Sequence, residues 1–132
     1  VKAAAVADYR PARYEQHKIK KGEGPLTLEL VRNPDILAEL GQKKTKQVLV
    51  GFAAETADLL ANAMGKLQRK NLDLIVANDV TKPGSGFGTE TNEVKIIARD
   101  GSVEALPLQS KREVAERILD RAAGVLKGKA VS

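Results

Sequence analysis

The sequence predicts an α/β fold: a Rossmann-like mixed sheet with flanking helices and a β-hairpin or arm. Two apolar runs, 47–52 and 72–78, are typical of buried strands, and a segment with apolar residues at three- and four-residue spacing lies between them. A strand–helix–strand unit of about 30 residues is by default a right-handed parallel crossover. Aromatic residues make up only 3% of the chain, so Val, Ile, Leu and Ala must form the core, as they do in parallel sheets.

The residues before this unit predict a strand and an arm. Residues 1–7 form a short apolar run, which indicates a strand. Residues 9–31 are rich in charge and contain proline and glycine, which predicts an arm or flap. Within it we expect a short strand around 18–20 and a second strand over 26–31, where apolar and polar residues alternate.

A helix is predicted directly after the arm. Asn33 is a natural N-cap, and Pro34 suits the first helical position. The helix is expected to run to about Leu40 and to stop at Gly41. The nearly continuous apolar run that follows is typical of a central strand covered on both faces.

The second half of the sequence predicts a helix, then three strands, then a second helix. The first helix covers about 55–69 and leads into the strand at 72–78. A glycine-containing loop over 79–91 follows, and then a hairpin whose strands, 93–98 and 103–108, flank an Asp-Gly turn. A capping-box pattern formed by Ser and Glu three residues apart starts the last helix. Residues 1–132 are therefore predicted as part of one domain, with 127–132 as a frayed tail.

Composition narrows the classes of function. The chain has no cysteine, which excludes a disulfide framework, a thiolate metal site and a cysteine nucleophile, and its single histidine, His17, has no nucleophile elbow nearby. The lack of cysteine fits a cytoplasmic protein, and no apolar run approaches the ~20 residues of a membrane span, so no membrane partner is expected. The net charge of +5 favours a polyanionic partner. The scarcity of aromatic residues argues against a nucleic-acid module that stacks bases.

Lysines are the strongest candidates for binding such a partner. Lys66 and Lys70 are four residues apart, so they leave the same helix face, either as a solvated basic turn or as a clamp on phosphate oxygens. Lys18, Lys20 and Lys21 lie close together in the arm. They either protect an edge strand from aggregation or gather around an anion.

Other candidates lie where apolar runs end. Small residues such as Ala4 before Asp8 allow close approach of a ligand. The Asp8 carboxylate either accepts hydrogen bonds from ribose, holds a cation or simply terminates a strand. Phe52 is either a core residue or a surface for a base. The segment Asn33–Asp35 offers a helix start with free N–H groups, or an ordinary cap. Because ligands bind at this edge of an α/β sheet, we predict a site for a nucleoside triphosphate.

Six ordered blocks carry a resemblance to a known family. The chain resembles the C-terminal two-thirds of the phosphopantothenate–cysteine ligase domain, or phosphopantothenoylcysteine synthetase, of the bacterial bifunctional coenzyme A biosynthesis protein, truncated at its N-terminus. The blocks are Ala4–Arg10, Lys18–Lys21, Val31–Leu37, Val50–Thr56, Lys66–Asp73 and Ala77–Val80.

The resemblance implies a ligase. It implies that CTP, with Mg2+, activates 4′-phosphopantothenate as an acyl-cytidylate, and that cysteine then displaces CMP to give 4′-phosphopantothenoylcysteine. It also implies a homodimer with its contact in the arm, and a phosphopantothenoylcysteine decarboxylase, fused or associated, whose upstream domain alone would hold FMN. Since the family's glycine-rich opening lies before Val1, we expect this chain alone to lack ligase activity.

The resemblance also assigns roles to residues. It implies that Lys18 is catalytic, and it does not identify the residue that binds the metal. The preference for CTP over ATP comes from the resemblance alone. The implied nucleotide contacts are Ala4, Asp8, Lys18, Asn33, Pro34, Asp35, Ile36, Phe52, Lys66 and Lys70. Two alternatives are a non-catalytic basic dimeric binding module and a dinucleotide-dependent oxidoreductase fragment. The second lacks the usual fingerprint, because the glycines at 84, 86 and 88 precede a strand rather than a helix.

Overall fold

The computed structural model describes residues 1–86 and 88–131. The chain divides into two compact units, one formed by Ala4–Ile36 and the other by Val1–Ala3 together with Leu37–Ser132. Each unit is described by itself. No helix within the described residues combines the length and the apolar character needed to cross a membrane.

The smaller unit is built on a two-stranded antiparallel ladder. Strand β1 (Tyr9–Pro11) pairs with β2 (Leu30–Arg32), and Tyr9 lies opposite Arg32. The guanidinium carbon of Arg32 lies 5.8 Å from the centre of the Tyr9 ring, a cation–π contact.

The arm therefore contains less strand than predicted. The strand expected over 26–31 is reduced to Leu30–Arg32, and the described residues 1–7 and 18–20 form no strand. For the stretch 26–31 the physical reason is the short pairing partner, because β1 is only three residues long and its ladder covers only Leu30–Arg32. Apolar side chains such as Leu26 and Leu28 are more than half exposed.

The larger unit has seven elements in the order α-β-α-β-β-β-α. They are α1 (Ile36–Lys43), β3 (Val50–Glu55), α2 (Leu59–Arg69), β4 (Leu74–Asp79), β5 (Thr91–Ala98), β6 (Val103–Ser110) and α3 (Lys111–Val131). The four strands form one sheet in the order β3-β4-β5-β6. Strands β3 and β4 are parallel, and the other two pairs are antiparallel. The predicted Rossmann-like mixed sheet with flanking helices is confirmed.

The sheet has a core on each face because its central strands are apolar on both sides. One face packs against α3, where Val114 and Ile118 meet β-strand residues such as Val76. The other face packs against α1 and α2 through Leu37, Leu67 and their neighbours. Burial of aliphatic side chains thus holds three layers together with almost no aromatic contribution.

Strand β3 is an edge strand of the described sheet rather than the central strand predicted. Its apolar run reflects parallel pairing with β4 on one side, while on the other side the N–H of Lys2 donates to the carbonyl of Val50 at 2.9 Å. Phe52 and Ala54, which share one face of the strand, are exposed. The apolar run of β3 could not show whether the strand is at the edge or in the middle of the sheet, because a strand at either position can bury apolar side chains.

Helix boundaries differ from the prediction at three places. Helix α1 starts at Ile36 and continues through Gly41 to Lys43, because the glycine is there for packing: a Cβ at this position would lie 1.9 Å from the carbonyl oxygen of Lys70. Helix α2 starts at Leu59, since residues up to Glu55 stay in β3. Helix α3 also includes 127–131, which were predicted as part of a frayed tail, whereas residue 132 lies outside the described residues.

Candidate functional site

The carboxyl ends of β3 and β4 bring two acidic residues side by side. In the parallel register Glu55, the last residue of β3, lies opposite Asp79, the last residue of β4. Ligands of open α/β sheets bind at the carboxyl ends of parallel strands. This end of the sheet, which we call the carboxyl edge, is therefore the first candidate site.

Glu55 holds Lys66 in a partly buried ion pair. The Lys66 ammonium donates to Glu55 Oε1 at 2.6 Å, and the amide of Asn62 donates to Oε2 at 3.4 Å. The Glu55 side chain is only 11% exposed, whereas that of Lys66 is 35% exposed. An anion that binds Lys66 must therefore share the ammonium with a carboxylate already beside it.

The start of α2 lies at the same edge and lacks a side-chain cap. Asp58 precedes the helix in the left-handed region, with φ of 46°, and its side chain makes no capping hydrogen bond. The side-chain amide of Asn62 donates to the carbonyl of Ala57 at 2.9 Å, which is not a capping bond because it engages no helix N–H. Free N–H groups in the first turn of a helix favour an anion.

Asp79 is held as a carboxylate at this edge. Its Oδ1 accepts from the hydroxyl of Thr81 at 2.5 Å and from the Thr81 N–H at 2.9 Å. Both hydrogen bonds lower the pKa of Asp79 below its usual value, and the bond from the Thr81 hydroxyl has the larger effect. Nearby, Glu93 accepts from Lys82 at 2.5 Å and raises the pKa of that lysine.

Of the other predicted contacts in the larger unit, Phe52 lies apart from Lys66, whereas Lys70 lies one helical turn from it. Phe52 is 43% exposed and pairs with Val76, a residue of the core under α3, so it stands on the opposite face of the sheet from α2. Lys70 follows the end of α2, where its N–H donates to the carbonyl of Lys66 at 3.0 Å and its own carbonyl faces Gly41. The structure thus places the two lysines around the last turn of α2, with the Lys66 ammonium directed to Glu55.

In the smaller unit, Asp8 and Asn33 are joined. The N–H of Asn33 donates to the carbonyl of Asp8 at 2.8 Å, and the Asn33 amide donates to the carbonyl of Ala7 at 2.8 Å. Arg10 donates to Asn33 Oδ1 at 3.0 Å. Asn33 therefore ties two segments of the unit together and is not the N-cap of α1 that the sequence predicts.

The other predicted contacts of the smaller unit are exposed. Lys18 and Ala4 both lie in stretches without regular structure, and both are exposed. Pro34 and Asp35 precede α1, and Ile36 is its first residue. Lys18 and Lys66 belong to different units, so the prediction that they contact one ligand stays a prediction.

A second polar cluster, which the sequence analysis missed, lies at the amino ends of β3 and β4. Asp73 is buried, and its Oδ2 accepts from Lys44 at 3.1 Å and from the N–H of Leu49 at 2.8 Å. Lys129 of α3 lies 2.7 Å from Oδ1. The signal was present in the sequence, since Asp73 interrupts the apolar run that becomes β4.

Asp73 is ionised although it is buried. Burial alone would raise its pKa, but hydrogen bonds from Lys129, from the N–H of Leu49 and from Lys44 together lower the pKa below its usual value. In residues 1–86 and 88–131, no group of three or more His, Asp or Glu side chains is arranged to hold a metal ion. The metal ligand left open above is not assigned by these residues.

Comparison with known proteins gives a consistent family. Residues 1–126 match the family model described as DNA/pantothenate metabolism flavoprotein C-terminal domain. The chain is 54% identical over 127 residues to a coenzyme A biosynthesis bifunctional protein CoaBC of Bacillus subtilis, covering 96% of this chain and 31% of that protein. It is 49% identical over 118 residues to a cysteine/cysteine sulfinic acid decarboxylase from an unknown prokaryotic organism, covering 89% of this chain and 33% of that protein.

Two solved structures are similar. The crystal structure of the C-terminal domain of a CoaBC bifunctional protein superposes with a TM-score of 0.73 at 41% identity, covering 95% of this chain and 53% of that one. A DNA/pantothenate metabolism flavoprotein from Streptococcus pneumoniae gives a TM-score of 0.70 at 22% identity, covering 91% of this chain and 60% of that one, and shows the fold alone. The chain spans about a third of the length of these two curated relatives.

These findings contradict the prediction of a CTP-dependent ligase. The matching family is described as a flavoprotein domain, and one relative is named a decarboxylase. None of the names given above mentions a ligase or CTP. The names of the relatives support the predicted link to coenzyme A biosynthesis and to a bifunctional protein, whereas they do not support the acyl-cytidylate chemistry.

Proposed function

Because the chain belongs to the family described as the DNA/pantothenate metabolism flavoprotein C-terminal domain, we propose that the full-length protein containing it is a bifunctional flavoprotein of coenzyme A biosynthesis with phosphopantothenoylcysteine decarboxylase activity. The observation that carries the proposal is the 54% identity over nearly the whole chain to a bifunctional coenzyme A biosynthesis protein. The relative named a decarboxylase supports the class of reaction. The activity is assigned to the full-length protein, of which this chain is a part.

The flavin itself is best assigned to another part of that protein. FMN joins a phosphate to a broad isoalloxazine ring that needs apolar or aromatic surface on its faces. A cleft between the loop before β3 and the last turns of α3 is lined by four cationic side chains, by Thr45, Asn71 and Gly128, and by one aliphatic residue, Val125, which suits a phosphate but not the ring. At the carboxyl edge Phe52 and Lys66 are on opposite faces of the sheet. These residues do not fit FMN, and no step of the reaction is routed through it here.

The contribution of this chain is proposed to be a ligand site at the carboxyl edge. Lys66 and the uncapped start of α2 supply positive charge, and an ordinary phosphate carries two negative charges near neutral pH. Asp79 is held ionised and accepts hydrogen bonds, which suits the hydroxyl or amide groups of a phosphorylated substrate. The edge therefore favours a ligand with one phosphate end and one polar end, such as the phosphopantetheine-like part of the proposed substrate.

Lys66 provides a direct test of this site. The Lys66→Gln variant of the full-length protein is expected to bind 4′-phosphopantothenoylcysteine at least tenfold more weakly, because a charge-assisted hydrogen bond to phosphate is lost. Arg69→Gln, one turn further along α2 and exposed, is the matched control and is expected to bind as the wild type does. Equal affinity of all three proteins in calorimetric titrations would remove Lys66 from the site.

The smaller unit supplies a proposed dimer contact. Its arm exposes large apolar side chains to solvent, among them Tyr14 at 89% and Leu26 at 69% exposure, and exposed apolar patches are typical of interaction surfaces. We propose that a second copy of the chain covers them, in a cytoplasmic homodimer. A Leu26→Glu variant is expected to shift the mass measured by light scattering toward the monomer, and an unchanged mass would contradict this contact.

A further inference from the structure

An open cleft of about 690 Å³ lies at the amino ends of β3 and β4, the opposite edge of the sheet from Glu55. It lies between the loop before β3, the loop before β4 and the last turns of α3. Four cationic side chains line it: Lys44, Lys46, Arg99 and Lys129. A volume of this size is typical of sites for small molecules.

The positive charge in this cleft is poorly balanced. Among the described residues, those that line the cleft include no carboxylate, and the one negative charge in contact with them is that of Asp73, which pairs with Lys44 and Lys129. Within residues 1–86 and 88–131 the ammonium of Lys46 forms no ion pair. Arg99 donates to the side-chain oxygen of Asn71, which is neutral. Four positive charges against one negative charge leave a formal excess of three, and such a concentration of like charge attracts anions.

The cationic side chains of the cleft also have hydrogen-bond donors that the contacts described below do not use. Lys44 donates to the carbonyl of Asn71 at 2.6 Å and to Asp73, and Lys129 donates to the carbonyl of Gln47 at 2.9 Å and lies against Asp73. An ammonium has three donors, so each lysine retains one. The guanidinium of Arg99 has five donors and uses one of them on Asn71.

Asp73 makes the cleft a preorganised site rather than a mobile surface patch. It fixes two lysines from different elements, one before β3 and one in α3, through contacts of 3.1 and 2.7 Å. The side chain of Lys44 is only 4% exposed, so its position is set by packing as well. Fixed cations lose little conformational freedom when a ligand arrives, which favours binding.

We propose that this cleft binds a small phosphate-bearing anion. Phosphate oxygens match the remaining donors of Lys44, Lys129 and Arg99, and Lys46 adds long-range attraction. The shared chemistry is the phosphate group, whether it is free or esterified to a small molecule. This proposal does not depend on the ligand site at the carboxyl edge.

The experiment titrates the full-length protein with orthophosphate, pyrophosphate and AMP at constant ionic strength, so that general screening is the same throughout. Calorimetry is expected to show saturable binding of pyrophosphate. The Lys46→Gln/Arg99→Gln variant is expected to weaken this binding at least tenfold, and Arg112→Gln, at an exposed position of α3 outside both sites, to leave it unchanged. If AMP binds more tightly than orthophosphate, the natural ligand is an ester, and equal affinities indicate free phosphate.

Hydrogen exchange locates the bound anion. Peptides that cover residues 44–47 are expected to gain protection with pyrophosphate in the wild type, and the single Lys46→Gln variant, whose side chain is exposed, tests the site if the double variant misfolds. Absence of binding beyond that of sodium chloride would overturn the proposal. So would an affinity that the cleft substitutions leave unchanged, or tighter binding of a single-stranded oligonucleotide than of pyrophosphate.

Discussion

Lys129 Nζ lies 2.7 Å from Asp73 Oδ1, so a lysine near the end of the C-terminal helix is bound to a buried carboxylate at the start of β4. The same carboxylate contacts Lys44 at 3.1 Å on its other oxygen. One acidic side chain thus joins α3, the loop before β3 and the sheet.

Replacement of Asp73 tests this junction. In Asp73→Asn the two lysines lose their counter-charge, and Lys44 stays almost completely buried. Removing one partner of a buried ion pair typically costs about 3–5 kcal/mol, so the free energy of unfolding is expected to fall by about 3 kcal/mol in urea titrations. Asp120→Asn, at an exposed position of α3, is the control and is expected to stay within about 0.5 kcal/mol of the wild type. Equal stability of the two variants would contradict the role given to Asp73.

Stability should depend on acid pH through Asp73. Its pKa is lowered in the folded protein, so its stabilising contribution is complete above the unfolded value of about 3.9 and is lost as the pH falls through the folded pKa. We expect the wild type to lose stability more steeply than Asp73→Asn as the pH falls below about 4. Parallel curves of melting temperature against pH would show that Asp73 is not perturbed.

Gly41 should resist substitution although it lies inside a helix. Gly→Ala in a helix interior usually stabilises by about 1 kcal/mol. At Gly41 the added Cβ would meet the Lys70 carbonyl oxygen at 1.9 Å, so the substitution is expected to destabilise by about 1–3 kcal/mol. Gly124→Ala in α3, where a Cβ meets nothing within 4 Å, is expected to stabilise. A stabilising effect at both positions, measured by thermal unfolding, would contradict the close packing of α1 on the end of α2.

The sheet and its helices could be predicted because their apolar periods are strong. The runs that became β3 and β4 and the stripe of α2 each bury residues at regular intervals, and the Asp-Gly turn fixed the hairpin of β5 and β6. Helix boundaries were harder to predict where a residue typical of helix ends is present for a different reason. Gly41 resembled a helix stop but allows close packing, and Asn33 resembled an N-cap but binds Ala7 and Arg10.

The sites were less predictable than the fold, because charge pairing is a tertiary property. Nothing in the spacing of Lys66 indicated that Glu55, 11 residues earlier, would hold its ammonium. The cluster around Asp73 joins residues 29 and 56 positions apart, which no local pattern reveals. The choice of reaction rested on resemblance rather than on the residues themselves, and it was the part that the comparisons overturned.

The most direct measurement of the proposed function is the release of CO₂ by the purified full-length protein from phosphopantothenoylcysteine labelled in the cysteine carboxylate. The account predicts enzyme-dependent release of the label together with bound FMN in the purified protein. A full-length protein without flavin, and without release of label above the uncatalysed rate, would contradict it.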